Sequence, residues 1–260
     1  MSIPLSLSGK VALISGGSRG IGAACVRMFA AAGAQVVFSY RSARAQAEAL
    51  AKECGADRCV PVACDLNNPE AGRELVAETV RHFGRLDILI ANHGVWPAED
   101  VPIDRMPDEQ WRSTLSINLD GVFGLAKHGI AQMKAQPRKG AVAGHIVLIS
   151  STSGQRGEAF HCDYSASKGA LISMTKSLAT ELASAAIYVN CVAPGWVDTD
   201  MSAAALADAK TGDAIRRTIP LGRVGKPEEI AAPVLFLCTE HAGFITGEVF
   251  NVNGGAVLVG

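Results

Sequence analysis

Residues 11–22 read VALISGGSRGIG, an apolar run that ends in a glycine-rich turn and opens into an apolar-faced helical stretch. Glycine permits a sharp turn and lets the backbone approach a phosphate without a Cβ clash. The N-terminus of the following helix offers free N–H groups and a partial positive charge to an anion. The spacing is G-x-x-x-G-x-G, which matches the dinucleotide-binding fingerprint only approximately. The segment therefore predicts a strand, a phosphate-binding turn and a helix at the start of an α/β fold.

The same alternation continues along the 260-residue chain. Short apolar runs predict seven strands, at Lys10–Ser15, Gln35–Tyr40, Cys59–Ala63, Leu86–Ala91, His145–Ser150, Tyr188–Val192 and Glu248–Val252. Alanine-rich stretches predict helices at Gly22–Ala32, Ala43–Cys54, Pro69–Phe83, Asp108–Met133, Ser165–Ser184 and Pro227–Cys238. Such alternation is typical of βαβ units and of a parallel sheet covered by helices on both faces. We expect an α/β fold with a single-domain doubly wound, Rossmann-like parallel sheet over residues 1–260.

Two segments between these elements lack a clear period. Gln136–Gly144 (QPRKGAVAG) is rich in turn formers and predicts a loop before the fifth strand. Thr199–Leu221 is alanine-rich with weak periodicity, and it predicts short helices in a mobile substrate lid at about residues 199–221.

The composition excludes several classes of protein. A formal net charge of −1 gives no global field that would attract nucleic acid or an anionic membrane. No apolar run approaches the ~18 residues of a membrane helix, and the first ten residues lack the pattern of a secretory signal. The seven cysteines are irregularly spaced without a C-x-x-C pair, which favours reduced thiols and no metal site. We expect a cytoplasmic protein with no nucleic-acid, membrane or metal partner.

The end of the second predicted strand indicates which dinucleotide would bind. Arg41, Ser42 and Arg44 follow this strand, and no Asp or Glu occurs in Gln35–Ala47. An NAD site usually carries an acid here that binds the ribose 2′-hydroxyl. A carboxylate would repel a 2′-phosphate, whereas arginine binds it bidentately, and Arg19 in the glycine turn is in reach of the same group. The pattern favours NADP(H), although Arg41 and Arg44 would also serve simply to solvate a helix start.

A second group of residues, around Ser151, Tyr164 and Lys168, is suited to catalysis. Tyr164 and Lys168 are four residues apart, on one face of a predicted helix. A phenol with a pKa near ~10 holds a proton that it can donate to a carbonyl oxygen, and a neighbouring cation lowers that pKa. Ser150 and Ser151 end the fifth strand, so the following loop can bring a serine hydroxyl beside the phenol as a second donor. Tyr and Lys at this spacing also occur by chance, so the pair indicates an acid/base site only in combination with Ser151.

The glycine turn, Asn92, Ser151, Tyr164 and Lys168 together resemble the short-chain dehydrogenase/reductase superfamily over nearly the whole chain. VNCVAPGWVDTDM (189–201) and the stretch from IPLGRVGKPEE to FNVNGG (219–255) are similar to the bacterial 3-oxoacyl-[acyl-carrier-protein] reductase group. The resemblance implies that Tyr164 is the acid/base and that Ser151 orients the substrate carbonyl. It implies that Lys168 lowers the phenol pKa and binds the nicotinamide ribose. It further implies that Asn118 holds a water in a proton relay through Lys168.

The resemblance and the strand-end positions also define a set of cofactor contacts. Pro194, Gly195 and Val197 are expected to border the nicotinamide, with Thr199 near its carboxamide. The full set is Gly16, Ser18, Arg19, Ile21, Arg41, Ser42, Asp65, Leu66, Asn92, Gly94, Tyr164, Lys168, Pro194, Gly195, Val197 and Thr199. Taken alone, Asp65 and Asn92 would equally be an N-cap or a turn former. In the family the helices around Asp108–Met133 and Ser165–Ser184 pair across two-fold axes, which implies a homotetramer.

Two departures from the family pattern carry information. His93 stands where the family usually has Ala, and we interpret it as a packing residue rather than a catalyst. Ala185 and Ala186 stand where acyl-carrier reductases more often have a basic residue and a Gly. The missing Gly removes an easy left-handed helix stop, and the missing base weakens the case for an acidic acyl carrier protein as a partner.

The substrate class stays open at this stage because fold and catalytic residues are shared by many activities. We expect Trp96, Gln155–His161, Trp196 and the lid to wall the substrate pocket, although aromatic residues beside a lid also serve plain packing. The main hypothesis is an NADP(H)-dependent reductase of a small-molecule carbonyl, 3-oxoacyl-type or another ketone. The alternative is a dehydrogenase of a sugar, steroid or other small alcohol. A non-catalytic nucleotide-binding regulator would have no need of the proton-transfer residues.

Overall fold

A seven-stranded parallel sheet in the order β3-β2-β1-β4-β5-β6-β7 forms the centre of the computed structural model, which describes residues 5–259. The strands are β1 (Val11–Ile14), β2 (Gln35–Tyr40), β3 (Cys59–Ala63), β4 (Ile88–Ala91), β5 (Gly144–Ile149), β6 (Ile187–Pro194) and β7 (Val249–Val252). All seven predicted strands are present, with ends shifted by at most two residues. Residues 1–4, which belong to the N-terminal stretch without a signal pattern, and residue 260 lie outside the described residues.

Ten α-helices connect the strands among residues 5–259. They are α1 (Gly20–Ala31), α2 (Arg44–Cys54), α3 (Pro69–Phe83), α4 (Asp108–Leu115), α5 (Gly121–Ala135), α6 (Thr152–Arg156), α7 (Cys162–Leu182), α8 (Ala203–Ala207), α9 (Ala209–Arg217) and α10 (Pro227–Leu237). The short helices α8 and α9 lie in the segment that the sequence predicted as a lid of short helices. No helix in this part of the chain is long and apolar enough to cross a bilayer.

The strand order reverses between β1 and β4. The chain runs from β1 outward through β2 and β3, then returns to place β4 on the other side of β1, with Leu13 beside Leu89. Ligands in open α/β sheets bind outside the carboxyl ends of the strands at such a switch point. The predicted doubly wound, Rossmann-like fold is confirmed.

Helices cover both faces of the sheet, which explains why the strands are continuous apolar runs. All residues of β1 and β4 are buried. One hydrophobic core lies between the sheet and α1, α2 and α10, and a second lies between the sheet and α3, α5 and α7. A parallel strand buried on both faces requires apolar side chains at successive positions rather than at alternate ones.

Three features of the helices differ most from the sequence-based expectation. The stretch predicted as one helix, Asp108–Met133, is interrupted by a π-helical turn at Ser116–Asp120. Helix α7 begins at Cys162, three residues earlier than predicted, and α6 was not predicted at all. Local periodicity does not reveal a π turn because such turns form where side chains find tertiary partners, frequently at functional sites.

Candidate active site

A cleft of about 480 Å³ opens at the carboxyl ends of the strands, next to the switch point. Every residue predicted as a cofactor contact lines this cleft. Ser151, Tyr164 and Lys168 line it as well, at the end that the segments after β4, β5 and β6 surround. The tertiary structure therefore brings together residues that are spread from Gly16 to Thr199 in the sequence.

The glycine turn after β1 has the shape of a phosphate cradle. Gly16 has φ +64°, and a Cβ on Gly22 would lie 2.1 Å from the Gly16 carbonyl oxygen. The Ser39 hydroxyl at the end of β2 accepts a hydrogen bond from the Gly16 N–H at 3.0 Å, and the Gly17 N–H donates to the Ser39 carbonyl at 2.8 Å. Only glycine allows this close packing, so the residues present fit a dinucleotide pyrophosphate at the N-terminus of α1.

The outer end of the cleft carries donors for a further phosphate. Arg19, Arg41 and Ser42 all line it, and the acid-free stretch after β2 leaves no carboxylate beside Arg41 in sequence. Arg19 Nη1 lies 3.5 Å from Asp200 Oδ2 across the cleft, with both side chains mostly exposed. Two guanidinium groups and a hydroxyl form a donor set suited to a ribose 2′-phosphate.

Asn92 and His93 fasten the end of β4 to the glycine turn. The Asn92 side-chain amide donates to the carbonyl oxygens of Ser15 and Gly16 at 3.0 and 3.1 Å. The Ser15 hydroxyl accepts from the Asn92 N–H at 3.0 Å and lies 2.8 Å from His93 Nδ1. Burial lowers the pKa of His93 to about 3, so its imidazole is neutral. These contacts support the packing role expected for His93.

Tyr164 and Ser151 form the reactive end of the cleft. Ser151 is the N-cap of α6, where its hydroxyl accepts a hydrogen bond from the Ser153 N–H at 3.1 Å. Tyr164 lies in the first turn of α7 and is 8% exposed. Burial raises the pKa of Tyr164 to about 12, although a hydrogen bond with the Ser151 hydroxyl acts in the opposite direction. The phenol therefore holds its proton at neutral pH.

Lys168 lies one turn further along α7. Its Nζ donates to the Ile149 carbonyl at 2.8 Å and is 5.8 Å from the centre of the Tyr164 ring. Burial lowers the pKa of Lys168 to about 8. Burial of Tyr164 opposes the lowering of the phenol pKa that the resemblance implies for Lys168, and the Lys168 ammonium is held by the end of β5.

Asn118 is fully buried behind the cleft instead of lining it. It lies in the π-helical turn, where its Oδ1 accepts the Val95 N–H at 2.8 Å. Its Nδ2 donates to the Val95 carbonyl at 3.0 Å and to the Ser167 hydroxyl at 3.2 Å. Asn118 thus joins the segment after β4 to α7, one residue from Lys168.

Sequence reasoning missed several residues that line the same cleft. They lie at a strand end or in the segment that follows it, a position that would have identified them: Ser39, Tyr40, Val95, Ile149 and Asp200. The Ser150 hydroxyl donates to the Lys168 carbonyl at 2.7 Å and so fixes α7 against β5.

Among the curated relatives, the chain is 40% identical over 256 residues to the 3-oxoacyl-[acyl-carrier-protein] reductase FabG of Escherichia coli (strain K12), covering 98% of this chain and 100% of that protein. It is 36% identical over 256 residues to the 3-oxoacyl-[acyl-carrier-protein] reductase of Synechocystis sp., covering 97% of this chain and 99% of that protein.

Solved structures show the same similarity in three dimensions. A short-chain dehydrogenase/reductase (glucose/ribitol dehydrogenase) from Brucella melitensis superposes with a TM-score of 0.89 at 33% identity, covering 99% of this chain and 100% of that one. A short-chain dehydrogenase from Burkholderia cenocepacia in complex with NADP superposes with a TM-score of 0.86 at 34% identity, covering 96% and 98% of the two chains.

The sequence model of the family described as Enoyl-(Acyl carrier protein) reductase matches residues 16–257. This match spans the glycine turn, the reactive residues and the last strand of the sheet. The chain therefore belongs to the short-chain dehydrogenase/reductase superfamily, in the group of the 3-oxoacyl-[acyl-carrier-protein] reductases.

Proposed function

We propose that this short-chain oxidoreductase reduces a ketone to an alcohol with NADPH and that Tyr164 is the general acid. The observation that carries the proposal is the buried, protonated Tyr164 phenol, which lines the cleft together with Ser151 and with Lys168 one turn further along the same helix. We assign the whole reaction to one domain, with the lid of α8 and α9 beside the cleft.

Each of these side chains has a separate task in the reaction. Ser151 and Tyr164 donate hydrogen bonds to the substrate carbonyl oxygen, which polarises the carbonyl carbon. NADPH, when bound, supplies the hydride that the carbonyl carbon accepts. As negative charge develops on the oxygen, Tyr164 transfers its proton there, and the product is the alcohol. Lys168 stabilises the phenolate that remains and binds the nicotinamide ribose, and Asn118 supports the route by which a proton returns through Lys168.

The cofactor assignment combines the donors of the cleft with the comparisons. Arg19, Arg41 and Ser42 suit a 2′-phosphate, and the similar Burkholderia enzyme was solved in complex with NADP. The alternative cofactor, NADH, would leave these donors without a phosphate to bind. The absence of an acid in Gln35–Ala47 favours NADP(H) in the same way.

The names of the relatives favour a 3-oxoacyl thioester as the substrate type. A second candidate is the dehydrogenation of a sugar, steroid or other small alcohol, since the similar Brucella enzyme is named glucose/ribitol dehydrogenase. A homotetramer and a cytoplasmic location stay predictions, and Ala185 and Ala186 weaken the case for docking of an acyl carrier protein. Phe123 on α5 is 47% exposed, which supports a helix interface between subunits.

The first experiment replaces the proposed acid. Tyr164→Phe removes one hydroxyl from a buried ring, so we expect loss of ketone reduction by at least about 10³-fold, an effect within the range of general acid catalysis. NADPH binding, measured by the change in nicotinamide fluorescence, is expected to persist. The turnover panel contains acetoacetyl thioesters, diketones, steroids and sugars, each with NADPH and NADH.

The matched control is Tyr188→Phe, a second tyrosine far from the cleft that packs edge-on against His145. This variant should keep the parent turnover. Undiminished turnover in Tyr164→Phe would refute the proposed mechanism, and no turnover of any substrate by the parent enzyme would favour a nucleotide-binding regulator.

The second experiment tests the cofactor. Arg41→Ala removes a guanidinium that we assign to the 2′-phosphate, so the KM for NADPH should rise by about tenfold or more while the KM for NADH changes little. Arg44→Ala is the control, because Arg44 pairs with Glu48 on the outside of α2. Equal effects of Arg41→Ala on both cofactors would contradict the NADP(H) assignment.

A further inference from the structure

Two indoles line the substrate end of the cleft from opposite sides. Trp96 follows β4 and Trp196 follows β6, with β5 between those strands in the sheet. The ring centroids of Trp96 and Trp196 lie 6.3 Å apart with an angle of 69° between the planes. Trp96 also meets the Tyr164 ring edge-on, at 4.6 Å and 82°. One side of the reactive phenol is therefore covered by an indole that spans toward the opposite side of the cleft.

Trp96 is held in this position by His161, which in turn contacts Asp100, and we call this arrangement the brace. The His161 ring lies 3.9 Å from the Trp96 ring, between centroids, and His161 is only 4% exposed. His161 Nε2 lies 3.1 Å from Asp100 Oδ1. The segment after β4 thus contributes both the indole and the carboxylate, and the segment before α7 contributes the imidazole that fixes them together.

The backbone next to the brace is strained. Phe160 has φ +66°, a conformation that a bulky side chain rarely adopts. Its carbonyl accepts a hydrogen bond from the Val101 N–H at 3.2 Å, so the two segments are joined a second time. Such strain persists only where surrounding contacts enforce it, and it concentrates at ligand sites. The turn at Phe160 precedes His161 directly and lets the imidazole enter the interior.

We infer that Trp96 and Trp196, with Trp96 braced by His161 and Asp100, make the enzyme select ketones with compact substituents, a flat ring included, over ketones that carry a long acyl chain. We call these four residues the indole wall. A long acyl chain that left the carbonyl between β4 and β6 would have to separate the two indoles and unpack Trp96 from the buried imidazole. A compact, flat substituent instead packs against the aromatic faces without moving them. This inference rests on the proposed function, because it describes what reaches Tyr164.

The test compares the kcat/KM values of different substrates in the same protein sample. A smaller fraction of folded protein lowers every value equally and cancels in their ratio. The probes are acetophenone and the acetoacetyl and 3-oxododecanoyl thioesters of N-acetylcysteamine, with saturating NADPH. The parent should favour the two compact probes over 3-oxododecanoyl thioester in kcat/KM. Trp96→Ala should reduce this preference by about tenfold or more, mainly through a lower KM for the long chain, because a pocket contact of this size sets specificity.

Further variants distinguish a specific effect of the indole wall on substrate preference from a general effect of substitution on the structure. Trp96→Phe keeps a ring and should keep most of the preference. Asp100→Ala removes the carboxylate that lies against His161 and should lower the preference without changing the KM for NADPH. Asp104→Ala, at an exposed acid in the next turn of the chain, is the matched control and should behave like the parent. If Trp96→Ala does not fold, Asp100→Ala still decides the question.

Two outcomes would overturn the inference. One is a parent enzyme that reduces the long-chain thioester as well as the compact probes, and the other is an unchanged preference in both Trp96→Ala and Asp100→Ala. Either result leaves the proposed function standing as long as Tyr164→Phe abolishes turnover. Retained turnover in Tyr164→Phe would instead contradict the proposed function and leave the size preference as a separate measurement.

Discussion

Lys168 and Tyr164 show opposite effects of the same physical cause. Burial disfavours the charged form of every ionisable group, so it raises the pKa of the phenol and lowers the pKa of the ammonium. Below about pH 8 the Tyr164 phenol is protonated and the Lys168 ammonium is charged. This combination suits proton donation to a carbonyl, and it leaves Lys168 sensitive to pH near neutrality.

The pKa of Lys168 predicts a pH dependence. The charged form is present below about pH 8 and is lost above it, so kcat/KM for NADPH, which reports on the free enzyme, should fall as the pH rises through about 8. Lys168→Arg keeps its charge, so any remaining activity should lack this fall. Lys176→Gln, an exposed lysine on the same helix, should keep the parent profile. A break at the same pH in Lys168→Arg would exclude Lys168 as its cause.

Helix α7 is the element that organises the reactive end, and each of its ends is defined by tertiary contacts. The first turn brings Tyr164 to the cleft, and the second brings Lys168 to the end of β5. After a short 3₁₀ turn at Ala183–Ala185 the chain stops helical growth at Ala186, which has φ +54°. An alanine there adopts the left-handed conformation that glycine adopts more easily.

This helix stop predicts a stabilising substitution. Ala186→Gly relieves the left-handed alanine, and we expect a gain of about 1 kcal/mol in the free energy of unfolding. Ala183→Gly is the control, because Ala183 has right-handed dihedrals and its replacement should destabilise by about 0.5 to 1 kcal/mol. Urea denaturation measures both changes, and turnover should be unaffected. A loss of stability in Ala186→Gly would show that the alanine methyl contributes packing that outweighs the strain.

The interruption between α4 and α5 is a second feature at the element scale. The π-helical turn places Asn118 where its amide meets the backbone of Val95 on both its donor and acceptor sides. Near the same point, a Cβ on Gly94 would lie 3.1 Å from Asn118 Oδ1 and 3.4 Å from Lys168 Nζ. The segment after β4 therefore passes close to both side chains, and a side chain at position 94 would press on Asn118.

In the whole molecule, the sheet order turns distant residues into neighbours. Because β1 and β4 are adjacent, the glycine turn meets Asn92 and His93, and Ser15 joins all three. Because β5 lies between β4 and β6, Ser151 and the Lys168 ammonium at the end of β5 lie at the strand end between the two strands that Trp96 and Trp196 follow. The long helix α7 carries Tyr164 and Lys168 to this end, and the short helices α8 and α9 lie between β6 and α10 in the chain.

Much of this protein follows from local patterns in the sequence. Continuous apolar runs predicted all seven strands, since strands buried on both faces leave that pattern directly, and the glycine turn indicated where phosphates would bind. Only the tertiary structure decided the pKa values of Tyr164 and Lys168, because burial depends on elements far apart in the chain. The tertiary structure alone also decided the π turn at Asn118 and the brace of Trp96 by His161 and Asp100. Both depend on contacts between side chains whose separation in sequence carries no periodic signal.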